Sequence, residues 1–250
     1  SVYSLPMCGR YAQAQGMDEI IERFDLDSSL VDSSLPLNWN IAPTNEIYII
    51  RDNESSRVLD SASWGLIAPW QKNFTEARNS QSHAINARSE SIHEKPTFRQ
   101  AFRTTRCLIP ATGYYEWATS LGKYPPKQPF YINAGDQGML ALAGIYDWWL
   151  DPTKEPDDPS RWLLSFVILT KDAAEPLAPV QERNPILLSQ SSMAEWLDPD
   201  NLEDPENTTQ GLLNELAQES DQVAAEAEYW PVGVEVGNVR NNSAELIQQS

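Results

Sequence analysis

The sequence predicts an α+β fold: a single domain with a curved, largely antiparallel, barrel-like sheet flanked by short helices. Short stretches rich in β-branched and aromatic residues, separated by turn residues, recur over most of the 250 residues. They do not alternate regularly with helical patterns, as a parallel βαβ sheet requires. The chain is 41% hydrophobic and 10% aromatic, enough for a sizeable core at this length. Neither a repeat nor a low-complexity linker divides it, so residues 7–250 read as one domain behind a leader, or an upstream start, of residues 1–6.

Residues 17–25, MDEIIERFD, begin on the polar Asp18 and set Ile20, Ile21 and Phe24 on one helical face, predicting a short early helix. Strands are predicted at 46–51 (EIYIIR), 57–67 (RVLDSASWGLI), 107–118 (CLIPATGYYEWA), 129–132 (PFYI), 138–149 (GMLALAGIYDWW), 162–170 (WLLSFVILT) and 228–236 (EYWPVGVEV). Helical patterns interrupt them at 88–103 and 208–218, and Ser192 with Glu195 reads as a capping-box start for MAEWL. The acidic, proline-bearing stretches 151–160 and 198–207 are loops.

No apolar run reaches the roughly 18 residues that span a bilayer, and no basic-then-apolar leader opens the chain, so a cytoplasmic protein is expected; a monomer is expected as well. Cys8 and Cys107 are too few for a disulfide framework and read as free thiols. The formal charge of −18 is unevenly spread: residues 1–130 hold 13 Lys+Arg against 14 Asp+Glu, and 131–250 hold 5 against 22. Acidity repels nucleic acid, so a polyanion site should draw on arginines of the first half. No cofactor is expected, because neither a P-loop nor a dinucleotide fingerprint occurs. No metal is expected either, because Cys8, Cys107, His83 and His93 lack zinc-site spacing.

Five short strings carry chemistry. In MCGRYA (7–12), removal of Met7 would leave Cys8 with an α-amine and a thiol on adjacent carbons. Their ordinary pKa values, about 7.7–8.0 and 8.5, leave both usefully nucleophilic near neutrality. An aldehyde would give a Schiff base that the thiolate closes to a thiazolidine; the plain alternative is a buried small hydrophobe. In HAINARSES (83–91), Asn86 and Arg88 fall on one side of an extended segment, with Glu90 continuing the alternation. An asparagine holds a polar intermediate without titrating, and an arginine fork suits phosphate. In GYYEW (113–117), Glu116 sits between Tyr115 and Trp117, where apolar surroundings would suit it to proton shuttling; otherwise it is an edge glutamate facing water. WNIAPT (39–44) and WGLIAPW (64–70) end in proline-stiffened turns that could stack on bases, although Trp64 and Trp70 also read as plain core.

Together MCGRY, WNIAPT, WGLIAPW, NARSES, F-R-x-A-F-x-x-x-R-C-L-I-P, GYYEW and VGNVRNNSAELI closely resemble the SRAP family, the SOS-response-associated peptidases, from Met7 to about Ile247. The resemblance implies binding of single-stranded DNA at abasic sites and a covalent thiazolidine to the sugar aldehyde through an N-terminal cysteine exposed by a peptidase-like step. By motif, Cys8 is then the nucleophile, Asn86 positions the opened sugar, and Glu116 moves protons. Arg10 and Arg88 match phosphate-contacting arginines, and Asn40, Pro43, Trp64 and Trp117 fall in DNA-facing motifs. The chain departs from the pattern where the family shows His-x-Arg-Met-Pro: Gln181 stands in the histidine's place, with Arg183 and Pro185 retained. Glutamine cannot titrate, so imine formation or reversal should be slower, or Glu116 must carry more of the proton traffic. While SVYSLPM precedes Cys8, its nitrogen is an amide and inert in this chemistry. The alternatives are a crosslink-impaired module that binds single-stranded DNA or protein, and an N-terminal-nucleophile hydrolase of the amidotransferase kind, whose further strings are missing.

Overall fold

The computed structural model describes residues 9–54, 56–119, 121–135, 138–198 and 208–250. In chain order these form β1 (Tyr11–Gln13), α1 (Met17–Phe24), β2 (Ser28–Ser29), β3 (Asn38–Ile41), β4 (Glu46–Asn53), β5 (Ser56–Trp64), α2 (Phe74–Gln81), β6 (Asn86–Arg88), α3 (Arg99–Thr104) and β7 (Arg106–Ala111). They continue with β8 (Gly113–Ala118), β9 (Gln128–Asn133), β10 (Leu140–Leu150), β11 (Trp162–Asp172), β12 (Arg183–Pro185), α4 (Gln190–Leu197), α5 (Thr208–Ala225) and β13 (Glu228–Pro231).

The architecture is α+β, as the sequence predicts. Strands β5, β4, β7, β10 and β11 lie side by side, and β11 returns to β5 in parallel at Ser165↔Ser63 and Phe166↔Trp64. That last pairing closes a five-stranded barrel; β2, β6 and β12 extend its sheet. A second sheet runs β13, β9, β8, β1, β3, with every neighbour antiparallel.

Strand alternation divides the apolar residues into two layers. Ile47, Ile49, Ile109, Leu142, Phe166 and Ile168 join Tyr11, Ile41, Tyr114 and Ile132 of the second sheet in one inner cluster. Their strand neighbours Tyr48, Ile50, Leu108, Ala143 and Val167 face outward under Ile20 of α1, Phe102 of α3, Trp196 of α4 and Leu216 of α5. The inner cluster leaves no room at Gly144, where an added Cβ would stand 2.2 Å from Ile109 Cδ1. A third cluster, with Tyr115, Tyr131 and Val236 at its centre, seals the far face of the second sheet beneath the C-terminal segment.

Several boundaries differ from expectation. The run 107–118 is two strands in two sheets, turned at Thr112, whose amide donates to Ala12 O and whose hydroxyl bridges Ala14 N and Gln15 Oε1. The predicted helix 88–103 is β6, a single 3-10 turn at Ser89–Ser91 and then α3, because Asn86–Arg88 pairs with β11 instead. The strand predicted to 236 ends at Pro231, since a 3-10 turn at Val234–Gly237 takes the chain off the sheet. Ser189, not Ser192, caps α4; Ser192 completes the capping box from the N3 position, so Glu195 is not its partner.

Candidate functional site at the junction of the two sheets

Strand β8 carries GYYEW. Tyr114 and Ala118 join the inner cluster, whereas Tyr115 and Trp117 pack in the third cluster on the far face, so Glu116 points inward with Tyr114. Its exposure is 8%. Gly113 makes this strand possible: an added Cβ would lie 2.4 Å from Tyr131 Cζ and 2.5 Å from the carbonyl oxygen of Ile132 on β9.

Asn86 opens β6 opposite Ile168, and Ala87 lies opposite Leu169. Ile168 belongs to the inner cluster and Leu169 to the outer, so Asn86 stands on the inner side. Glu116 from the second sheet and Asn86 from the barrel sheet therefore open onto the same interior. Arg88 follows on Asn86's side of the strand, with its side chain exposed.

Gln181, on the segment between β11 and β12, reaches the same region. It is 7% exposed. Its Nε2 donates to the Tyr114 hydroxyl at 2.8 Å, while its Oε1 is buried and accepts no hydrogen bond among the described residues. Tyr114 is the site residue that the sequence reading missed; its place two residues before Glu116 on the same strand face was the available signal.

Arg183 is 4% exposed. Its guanidinium donates to both carboxylate oxygens of Glu90 at 2.8 and 3.0 Å, to Thr170 O at 2.9 Å, and to Asp172. Arg183, expected to face DNA, is thus paired with two carboxylates whose own side chains are exposed. Burial pushes the Glu90 carboxyl up, yet the hydrogen bonds from Arg183 and its own backbone, with the charges of Arg183 and Arg88, outweigh this and hold it below the usual range.

Arg10 donates from one terminal nitrogen to Asn40 Oδ1 at 2.8 Å and to Val236 O at 2.7 Å, and lies over the half-buried Trp117 ring at 5.7 Å. Burial lowers its pKa, partly offset by Tyr115. Asn40 is only 2% exposed, and its Nδ2 faces the carbonyls of Val236 at 3.2 Å, Asn238 at 3.1 Å and Asn241 at 2.8 Å. Asn40 is therefore an internal tie, which corrects the expectation that it faces a ligand. Pro43 sits half-buried before Thr44, whose φ is 73° and whose amide donates to Trp64 O. Trp64 is fully buried; its Nε1 donates to Ile85 O at 3.0 Å and Tyr11 meets its ring edge-on at 4.9 Å. The DNA-facing expectation for Trp64 gives way to core packing, and Trp70, 56% exposed, is the indole of that motif on the surface.

Cys8 lies outside the described residues. Cys107 is fully buried, and burial pushes its thiol up, which removes it as a nucleophile. Among the described residues no group of His, Cys, Asp and Glu could hold a metal ion. No helix among them is long and apolar enough to cross a membrane.

Comparison with known proteins gives the family of the chain. The profile of the SOS response associated peptidase (SRAP) family matches residues 7–239. The abasic site processing protein YoqW of Bacillus subtilis is 34% identical over 242 residues, 97% of this chain and 99% of that protein. The abasic site processing protein YedK of Escherichia coli is 27% identical over 245 residues, 97% of this chain and 99% of that one. A solved structure of a Bacteroides thetaiotaomicron protein shares the fold with a TM-score of 0.76 at 23% identity, covering 97% of this chain and all of its own. A profile that spans nearly the whole described fold, and a relative matched from end to end, show that the chain belongs to the SRAP family.

Proposed function

We propose that this protein binds single-stranded DNA at abasic sites and becomes linked to them through Cys8 once the cysteine's amine is free. The observation that carries the reading is the pairing of Asn86 and Glu116 on inward faces of two different sheets, beside the buried Gln181–Tyr114 hydrogen bond. An asparagine, a shielded carboxylate and an unfilled amide acceptor suit an opened sugar that must be held while protons move. The names of the relatives YoqW and YedK support abasic-site processing as the activity.

In this reading the Cys8 amine adds to the sugar aldehyde and one water leaves, giving the imine. The Cys8 sulfur then bonds to the imine carbon, and the thiol proton passes to the nitrogen, closing a thiazolidine. Glu116 takes and returns protons during both steps, and Asn86 holds the sugar oxygen. A self-directed peptidase step removes what precedes Cys8, with no turnover on external peptides. Arg10 and Arg88 supply the positive charge that phosphate needs in a chain of net charge −18.

Chain lacking residues 1–7, incubated with an oligonucleotide carrying one abasic site, is expected to give a heat-stable adduct on a denaturing gel. The Cys8→Ala variant should give none, and neither should full-length chain that keeps its prefix. A noncovalent single-strand binder is the second reading, favoured by the non-titrating Gln181. It replaces the first if the trimmed chain binds the oligonucleotide without forming an adduct.

A further inference from the structure

The second half of the chain is short of cations and uses most of them internally. Of the five Lys and Arg in residues 131–250, Lys154 donates to Ser160 O and Oγ, Arg161 to Pro156 O, and Lys171 to Asp221. Arg183 donates to Glu90, Asp172 and Thr170. The fifth, Arg240, is exposed, and its guanidinium makes no hydrogen bond or ion pair among the described residues.

The backbone that presents it is held on several sides. Asn40 grips the carbonyls of Asn238 and Asn241, which bracket Arg240, with the same amide group whose oxygen holds Arg10. The Arg240 amide donates to Asn238 Oδ1 at 3.1 Å, Asn241 N to Asn238 O at 3.0 Å, and Asn241 Nδ2 to Glu235 O at 2.8 Å. Trp39 N donates to Asn242 Oδ1 at 2.8 Å, tying the same segment to β3. An exposed arginine without an ion pair among the described residues is thus displayed from a braced turn whose anchor is shared with Arg10. Arg240 lines a recess together with Glu235 and Glu245 and is its one cation, so it offsets part of the negative charge that a phosphate approaching there would meet.

We propose that Arg240 is a phosphate contact for single-stranded DNA, extending the strand's path from Arg10 onto the C-terminal segment, with Asn40 as the residue that positions both. This inference rests on the DNA-binding reading above. Each phosphate contact on a single strand contributes about 0.7 to the slope of log affinity against log salt.

The test is noncovalent binding of undamaged oligothymidylate to the full-length chain, followed by fluorescence anisotropy across a salt series. Arg240→Ala should reduce the slope by about 0.7, so that the wild-type advantage shrinks by about 2.6-fold between 50 and 200 mM salt. Arg240→Lys, which keeps the charge, should keep the slope. A wild-type slope left unchanged by Arg240→Ala, with thermal stability also unchanged, overturns the assignment and leaves the DNA-binding reading standing. Salt-independent or absent binding by the wild type overturns both.

Discussion

Replacing Asn40 by alanine removes one acceptor and two N–H donors from the point where β3, Arg10 and the C-terminal segment meet. An amide has only two N–H bonds to give, so two of the three carbonyls within 3.2 Å are served well. At about 1 kcal/mol for each of these and about 1.5 kcal/mol for the bond from Arg10, which keeps Val236 O, the loss is about 3.5 kcal/mol. In a domain of this size that lowers Tm by about 7–14 °C. Asn40→Asp keeps an oxygen for Arg10 but sets an anion against three carbonyls, so at neutral pH it should cost at least as much and recover in part when acid protonates it. Urea denaturation and calorimetry measure both. An Asn40→Ala protein within about 0.5 kcal/mol of wild type that has nonetheless lost single-stranded DNA binding would refute the reasoning, because Asn40 would then act on the ligand and not on the fold.

Gly113→Ala is expected to cost about 3 kcal/mol or more, since the new Cβ meets a backbone oxygen at 2.5 Å on the paired strand and cannot push it aside. The urea midpoint reports this, and adding Tyr131→Leu should not restore it, because the Ile132 carbonyl stays where it is. For Glu90 the folded-state pKa lies below the ordinary 4.5, so its pairing stabilises the protein above that pH and is lost as pH falls through the folded value. Glu90→Gln should therefore be less stable than wild type at neutral pH and indistinguishable from it in strong acid, as pH-resolved thermal unfolding will show.

Much of the framework is legible in the residues because its signals are local. The continuous apolar runs in EIYIIR and SFVILT name barrel strands directly, each contributing to one inner and one outer layer. Other features depend on remote partners. The turn at Thr112 is held by Ala12, Ala14 and Gln15, about a hundred residues earlier, so nothing within 107–118 announces it. Helical spacing in 88–103 yields to a strand register offered by β11. In the candidate site, Glu116 stands out by its apolar company and Asn86 by its alternation with Arg88, whereas the contacts of Asn40 and Arg183 are made with groups up to 201 residues away. Trp64 carries the same ambiguity: a motif names the indole, and only the closed barrel decides which side it takes.

The corner at Thr112 has a mechanical consequence. It splices the barrel wall, through one uninterrupted run of backbone, to the strand that carries Glu116, and three hydrogen bonds brace the splice. A carboxylate and an amide on separate sheets thereby ride on a single rigid frame. Their relative placement follows from the closure of the barrel and the corner at Thr112 together.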